Sequence, residues 1–365
     1  MPLLPFIRDD FTLDYTQAGW LVSAFTLSYG ISQLPAGWLA DRIGRRMLIS
    51  IGISGVALSG ILVGLSPTYI MMAVFLVLLG VTGGGYHPAA APLISASVEP
   101  KNRGRALGLH QIGGTASHFL APLIAAAVVA VLGWRGSFIG VAIPIIVFGI
   151  IFYVLLGRWG YTKEAEPAAP SSHPETTPPP GRLRRLVSFL VISITGQALI
   201  FSIISFLPLF MVDHIGISEE AAAALLALTY SAGLWAGPLG GYLSDRLGGT
   251  PVILVATFVA GPTIYLLNLA SFGWSIYVVL LIIGMTMDIR MPVSEAYIIS
   301  HTSERNRSTV LGIYYFLSRG SPGLITPLLG YLIDRFSFHT SFTLTGVTLT
   351  AVTLICSVFL WGRRD

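Results

Sequence analysis

The sequence predicts an all-α membrane protein made of two similar helical bundles arranged as parallel repeats. Three observations carry that prediction: apolar runs long enough to cross a bilayer, a repeat at an offset of 204 residues, and a one-sided placement of Lys and Arg. Hydrophobic residues fill 54% of 365 positions and charged residues only 10%, whereas a soluble chain carries about 25% charged residues. Mean hydropathy is +0.77.

The apolar runs come in order at 17–40, 47–66, 69–97, 105–132 and 136–157, then at 186–212, 219–243, 250–270, 274–299, 309–332 and 340–361. A hydrocarbon layer of about 30 Å needs about 20 helical residues, so each run is a full transmembrane helix. The stub MPLLPFIRDDF precedes them. Between the groups lies RWGYTKEAEPAAPSSHPETTPPPGRLRR, with six prolines from Pro167 to Pro180. That composition cannot bury enough apolar surface to order itself. The predicted organisation is a first bundle at 1–157, a flexible linker at 158–185 and a second bundle at 186–365.

Orientation follows from Lys and Arg in the short loops. One face collects Arg42, Arg45, Arg46, Lys101, Arg103, Arg105, Arg158, Lys163, Arg182, Arg184, Arg185, Arg246, Arg305, Arg307, Arg363 and Arg364; the other holds only Arg8, Arg135 and Arg335. The rich face, with the linker and the C-terminus, is expected to be cytoplasmic, in a bacterial inner membrane. No basic leader opens the chain, so no cleavable signal peptide is expected. The single cysteine, Cys356, forms no intrachain disulfide and no Cys-based metal cluster. Basic residues scattered between apolar runs do not suit a nucleic-acid partner.

The repeat is read from GWLADRIG at 37–44 and GYLSDRLG at 241–248. The same offset carries Pro88 to Pro292, Asn102–Arg103 to Asn306–Arg307, Gly108 to Gly312 and Phe138 to Phe342. G-x-L-x-D-R-x-G-R-R between the second and third helices, echoed in the second half, resembles the signature loop of the major facilitator superfamily. The resemblance implies two six-helix bundles around a central cavity, reached from alternating sides. It also implies that Asp41 meets the start of the eleventh helix, near Ser308 and Thr309, and that Asp245 meets the fifth, near Arg103. A carboxylate at a helix N-terminus is favourable by about 1 kcal/mol. Gly37, Asp41, Arg42, Gly44, Arg45 and Arg46, with Gly241, Asp245, Arg246 and Gly248, then form a breakable latch. The competing reading is a plain positive-inside anchor. The second copy has Gly249 and Thr250 in place of the paired arginines, which predicts a weaker latch.

The offset also maps the seventh helix, Leu186 to Val212, to about −18 to 8. FLPLFM at 206–211 matches LLPFI at 3–7 within one residue. The chain therefore starts inside the first helix of a twelve-helix plan. A shortened gene reading and an eleven-helix variant both fit, and loss of a cavity helix would compromise transport.

Ionisable residues at membrane depth are costly and mark functional positions. The second half has Asp288, Arg290 and Glu295 in one helix and Arg319 in the next. Two acids and two bases suggest mutual pairing. Asp288 and Glu295, seven apart, share a helix face, and Arg290 points nearly opposite Asp288. Asp288 is the expected proton carrier with Arg319 its partner, and Arg319 also suits an anionic substrate; the alternative is a staple between the tenth and eleventh helices. In the first half, GGGYHPAAAPLIS at 83–95 places His87 beside a kink at Pro88, matched by Pro292. Tyr86 and His87 stand in repeat register with Arg290 and Met291. Gln197 is a further cavity candidate, and His110, Gln111 and His118 of the fifth helix either line the cavity or satisfy one another.

YHPAA followed by RGRALGLHQIGGTASHFLAPLIAA at 103–126 is similar to the fosmidomycin-resistance branch of that superfamily, drug/proton antiporters. Ala121–Pro122 departs from the Gly-Pro usual in the fifth helix of such antiporters. Lys101 and Lys163 follow Pro and Thr respectively in their surroundings of EPK and YTK, so no G-K-[ST] phosphate loop exists and ATP does not drive transport. No HExxH and no G-x-S-x-G elbow marks an enzyme. The expected function is secondary active transport of a small organic molecule by a monomer, without cofactor and with proton-coupled efflux favoured. Proton symport or uniport of an organic anion is the alternative, and a non-transporting sensor or decayed transporter is a second.

Overall fold

The computed structural model describes residues 2–99, 103–158, 182–302 and 304–360, and no strand occurs among them. The chain begins with α1 (Leu4–Phe11), α2 (Tyr15–Ile43), α3 (Arg45–Gly64), α4 (Tyr69–Gly84), α5 (Tyr86–Ser97) and α6 (Arg103–Arg158). The second half holds α7 (Arg182–Phe210), α8 (Glu219–Ser231), α9 (Gly233–Leu247), α10 (Gly249–Leu266), α11 (Trp274–His301), α12 (Glu304–Gly320), α13 (Pro322–Arg335) and α14 (Phe338–Leu360). A π-helical turn, Met211–Ile215, prolongs α7. Residues 159–181 of the expected linker lie outside the described residues.

All eleven apolar runs are helical, though not each as one rod. The run at 69–97 divides at Gly85 into α4 and α5, that at 219–243 divides at Ala232, and that at 309–332 divides at Ser321. Conversely, α6 contains two predicted spans, separated at Gly133, whose φ of 67° suits a residue without Cβ. Polar side chains set several starts. Asp14 and Gln17 form a reciprocal capping box on α2, and Thr68 and Ser218 cap α4 and α8.

The repeat is visible in backbone and side chains alike. Gly44 and Gly248, 204 residues apart, turn the chain at φ 85° and 87° between successive helices. Arg42 lies over the Trp38 ring at 4.2 Å, and Arg246 over Tyr242 at 4.8 Å, again in register. Within the bundles, small residues admit close approach, the main resource for helix association in lipid. A methyl at Gly84 would sit 2.8 Å from the Tyr29 carbonyl oxygen, joining α4 to α2. One at Gly261 would sit 2.8 Å from the Gly346 carbonyl, joining α10 to α14.

Between halves, α2 runs beside α12 and α13, and α6 beside α8. The halves touch on the arginine-poor face. There Arg8 of α1 binds Asp213 and the Tyr15 hydroxyl donates to Asp213 at 2.7 Å. Arg135 pairs with Asp10 at 2.6 Å within the first half. Toward the arginine-rich face, no atom lies within 4 Å of where a Cβ would stand at Gly113, Gly114, Gly241 or Gly312. Leu34 and Trp38 are more than half exposed there. Among the described residues, the halves meet on the poor face and stand apart on the rich one.

Candidate functional site

The site grows from α11. Pro292 lies inside this helix and lacks the N–H that would bond the Asp288 carbonyl; the helix nonetheless continues through it. Asp288 is half-buried. A methyl at Gly233, where α8 gives way to α9, would sit 2.8 Å from its Oδ2 and 3.0 Å from the Thr115 Cγ2 of α6. Glycine thus makes room for a carboxyl at the seam between the halves. Tyr230 of α8 lies within electrostatic reach of Asp288, and its ring stacks on His118 of α6 at 5.7 Å and 28°.

Arg319, on α12, is half-buried. Its Nη2 approaches the Met291 sulfur at 3.5 Å. Among the described residues, no carboxylate comes within ion-pair distance of it, so the expected Asp288–Arg319 pair is not closed. The two remain in electrostatic reach, as do Arg319 and Glu295, Tyr315, Tyr29 of α2 and His118 of α6. One cation is therefore surrounded by polar side chains drawn from both halves.

Arg290 corrects the expectation of mutual pairing. It is 1% exposed and turned toward α7, where Nη2 donates to the Ser193 carbonyl. Its Nε and Nη1 have no partner among the described residues. A methyl at Gly196 would sit 2.6 Å from Nη2, so this glycine admits the guanidinium. Ser193 Oγ meets Ser294 Oγ at 2.6 Å and Tyr314 OH at 3.4 Å beside it. The physical reason is helical phase: two residues from Asp288, Arg290 must leave the face that Asp288 and Glu295 share. Glu295 is half-buried, with Oε1 lacking a partner among the described residues and Tyr315 beside it.

The other predicted positions divide. Tyr86 is half-buried, its ring 5.8 Å from His110. Gln197 is half-buried on α7. The side chains of His87, Pro88 and Gln111 lie outside the described residues, as do Gly37 and Asp41 of the latch. Arg45 is half-buried; Arg46 donates from Nη2 to the Tyr153 carbonyl at 2.7 Å and covers the ring at 3.9 Å. Asp245 is exposed, and the side chain at Arg103, its expected neighbour, is outside the described residues. Tyr29, Thr115, Tyr230 and Tyr315 were not singled out by the sequence. The three tyrosines carry one signal, an amphipathic ring in an apolar run whose hydroxyl needs a partner; Thr115 carries none. Among the described residues, no group of His, Cys, Asp and Glu could hold a metal.

Comparison with known proteins agrees with the architecture. The sequence profile of the Major Facilitator Superfamily matches residues 1–211 and 189–365. A probable L-galactonate transporter of Escherichia coli K12 is 32% identical over 149 residues, 41% of this chain and 33% of that protein. The cis,cis-muconate transport protein of Acinetobacter baylyi is 23% identical over 98% of this chain and 88% of its own. Among solved structures, a bacterial homologue of the human lysosomal transporter Spinster superimposes with a TM-score of 0.76 at 19% identity, covering 99% and 92% of the two chains.

Proposed function

Because the chain belongs to the Major Facilitator Superfamily and is thus a transporter of small organic molecules rather than an enzyme, we propose that its cargo is a small organic anion moved with protons. The observation that carries the reading is Arg319, a membrane-depth guanidinium at the seam of the halves with no carboxylate in ion-pair contact among the described residues. A planar guanidinium offers a carboxylate two parallel charge-assisted hydrogen bonds. The related galactonate and muconate carriers, both named for organic acids, point the same way. A neutral or cationic drug would leave that charge unanswered, so drug efflux is the less favoured reading.

Coupling follows from the neighbours of Arg319. With Asp288 and Glu295 both ionised, the three groups sum to one negative charge and repel an anion. Protons on both carboxyls leave the guanidinium free to hold the cargo. Asp288, beside Gly233 at the seam of the halves, is the proton-exchanging group in this reading. Glu295 sets the local charge. The arginine-rich face is cytoplasmic, so the cavity is open inward in this state, and the carrier works by alternating access.

The test is uptake by purified protein in proteoliposomes, with L-galactonate and cis,cis-muconate as trial cargoes and an internal pH reporter. Anion entry with proton entry is expected, lost in Arg319→Gln. Uptake untouched by that substitution, or flux of cationic dyes in place of acids, overturns the assignment.

A further inference from the structure

The N-terminus of α2 is capped by the opposite half. Asp334, one residue before the end of α13, accepts the Tyr15 N–H at 2.9 Å, the Thr16 N–H at 2.8 Å and the Thr16 hydroxyl at 2.5 Å. These are the first two N–H groups of α2, and the third, from Gln17, goes to Asp14 at 2.6 Å. Nothing in a local helix start requires a carboxylate from 318 positions away. Donors at a helix N-terminus can be met by water at no cost in fold.

The rest of the seam is built to let that contact form. From Asp334 inward, a methyl at Gly330 would strike the Tyr15 carbonyl, and one at Gly19 would sit 2.9 Å from the Pro327 Cα. Ser23 Oγ donates to the Gly323 carbonyl at 2.5 Å. A methyl at Gly30 would lie 2.7 Å from the Gly320 Cα, where the two backbones touch. Past that point toward the arginine-rich face, Gly312 has open space and Trp38 is 56% exposed. The two helix lines meet from Gly30/Gly320 to Asp334 and part beyond it.

We propose that Asp334 is the outer latch of the transport cycle, a carboxylate that holds the inward-open state by capping α2 and must let go before the arginine-poor face opens. Gly30 and Gly320 form the pivot. Helix α2 likewise carries an aspartate, Asp41, near its own C-terminal end, as the α12–α13 line carries Asp334 near its end. This rests on reading the chain as an alternating-access carrier, but not on its cargo or coupling ion.

The experiment uses the full chain with Cys356→Ala, reconstituted, and a membrane-impermeant maleimide applied from either side. Ser23→Cys reports opening of the arginine-poor face and Gly312→Cys opening of the rich one. Asp334→Ala removes a charged cap, an effect of roughly tenfold on the balance of the two states. Labelling at Ser23→Cys is expected to rise and that at Gly312→Cys to fall by about that factor. Thr16→Val, which keeps both N–H donors and deletes one hydroxyl, shifts the ratio the same way but less, and covers the case in which Asp334→Ala does not fold. If neither variant moves the ratio, while a cargo or pH gradient does move it in the parent, the latch is refuted and alternating access stands. If nothing moves the ratio in the parent, alternating access itself fails.

Discussion

Arg319→Gln separates binding from stability because the side chain has so little to lose within the protein. Among the described residues, its one hydrogen-bond contact is the Met291 sulfur at 3.5 Å, a weak acceptor. No carboxylate would be left stranded in ion-pair contact, so thermal stability in detergent should stay within about 0.5 kcal/mol of the parent, as for substitutions away from a packed network. A bound carboxylate, by contrast, would lose two charge-assisted hydrogen bonds. Such bonds contribute about 1.5–3 kcal/mol each, with incomplete additivity, so a loss of about 2–4 kcal/mol is expected. That is roughly 30- to 1000-fold in affinity. The assay is a paired measurement: a melting curve, and either isothermal titration of the acid or the half-saturation of proteoliposome uptake. Affinity within threefold of the parent, at unchanged stability, would refute Arg319 as the anion anchor. A large drop in melting temperature would instead show that the guanidinium is structural.

Arg290→Met should behave in the opposite sense. The buried guanidinium has two N–H positions without partners among the described residues, so an apolar replacement is expected to keep or raise the melting temperature; clear destabilisation would mean that those groups are satisfied in the bilayer. Gly44→Ala and Gly248→Ala place a Cβ at φ 85° and 87°, where the strain is about 1–2 kcal/mol each. Both should lower the melting temperature alike, and a neutral result would show that the turns relax. Gly84→Ala pushes a methyl against Ser32 and the Tyr29 carbonyl, so folded yield should fall with a loss of about 1–3 kcal/mol; an unchanged melting curve would show that α4 can step away from α2.

The sequence by itself determined what hydropathy and phase determine. Long apolar runs had to become helices because a bilayer core satisfies no backbone group. The offset that pairs 37–44 with 241–248 fixed a duplicated plan, and with it the matching turns at Gly44 and Gly248. It also separated Asp288 from Arg290, since residues two apart on a helix cannot share a face. The α4–α5 division at Gly85 lies three residues before the expected kink at Pro88, and Pro322 follows the division at Ser321; the α8–α9 division was not legible, because Ala232 is an ordinary residue in apolar surroundings.

Only tertiary structure decided which polar groups meet. The charge sum of the four membrane-depth residues suggested pairing, yet Arg290 went to the Ser193 carbonyl and Arg319, among the described residues, is in no ion-pair contact. Thr115 and Asp288 flank the same vacant Cβ position at Gly233, and His118 stacks on Tyr230, so helices from different halves meet there. Asp334 reads as one more charge in a loop until the fold sets it on the first turn of α2. The reason is physical: hydropathy and periodicity record each helix's preference for lipid or protein. The partner of a polar side chain depends on how the two halves are tilted against each other, and that changes within the transport cycle.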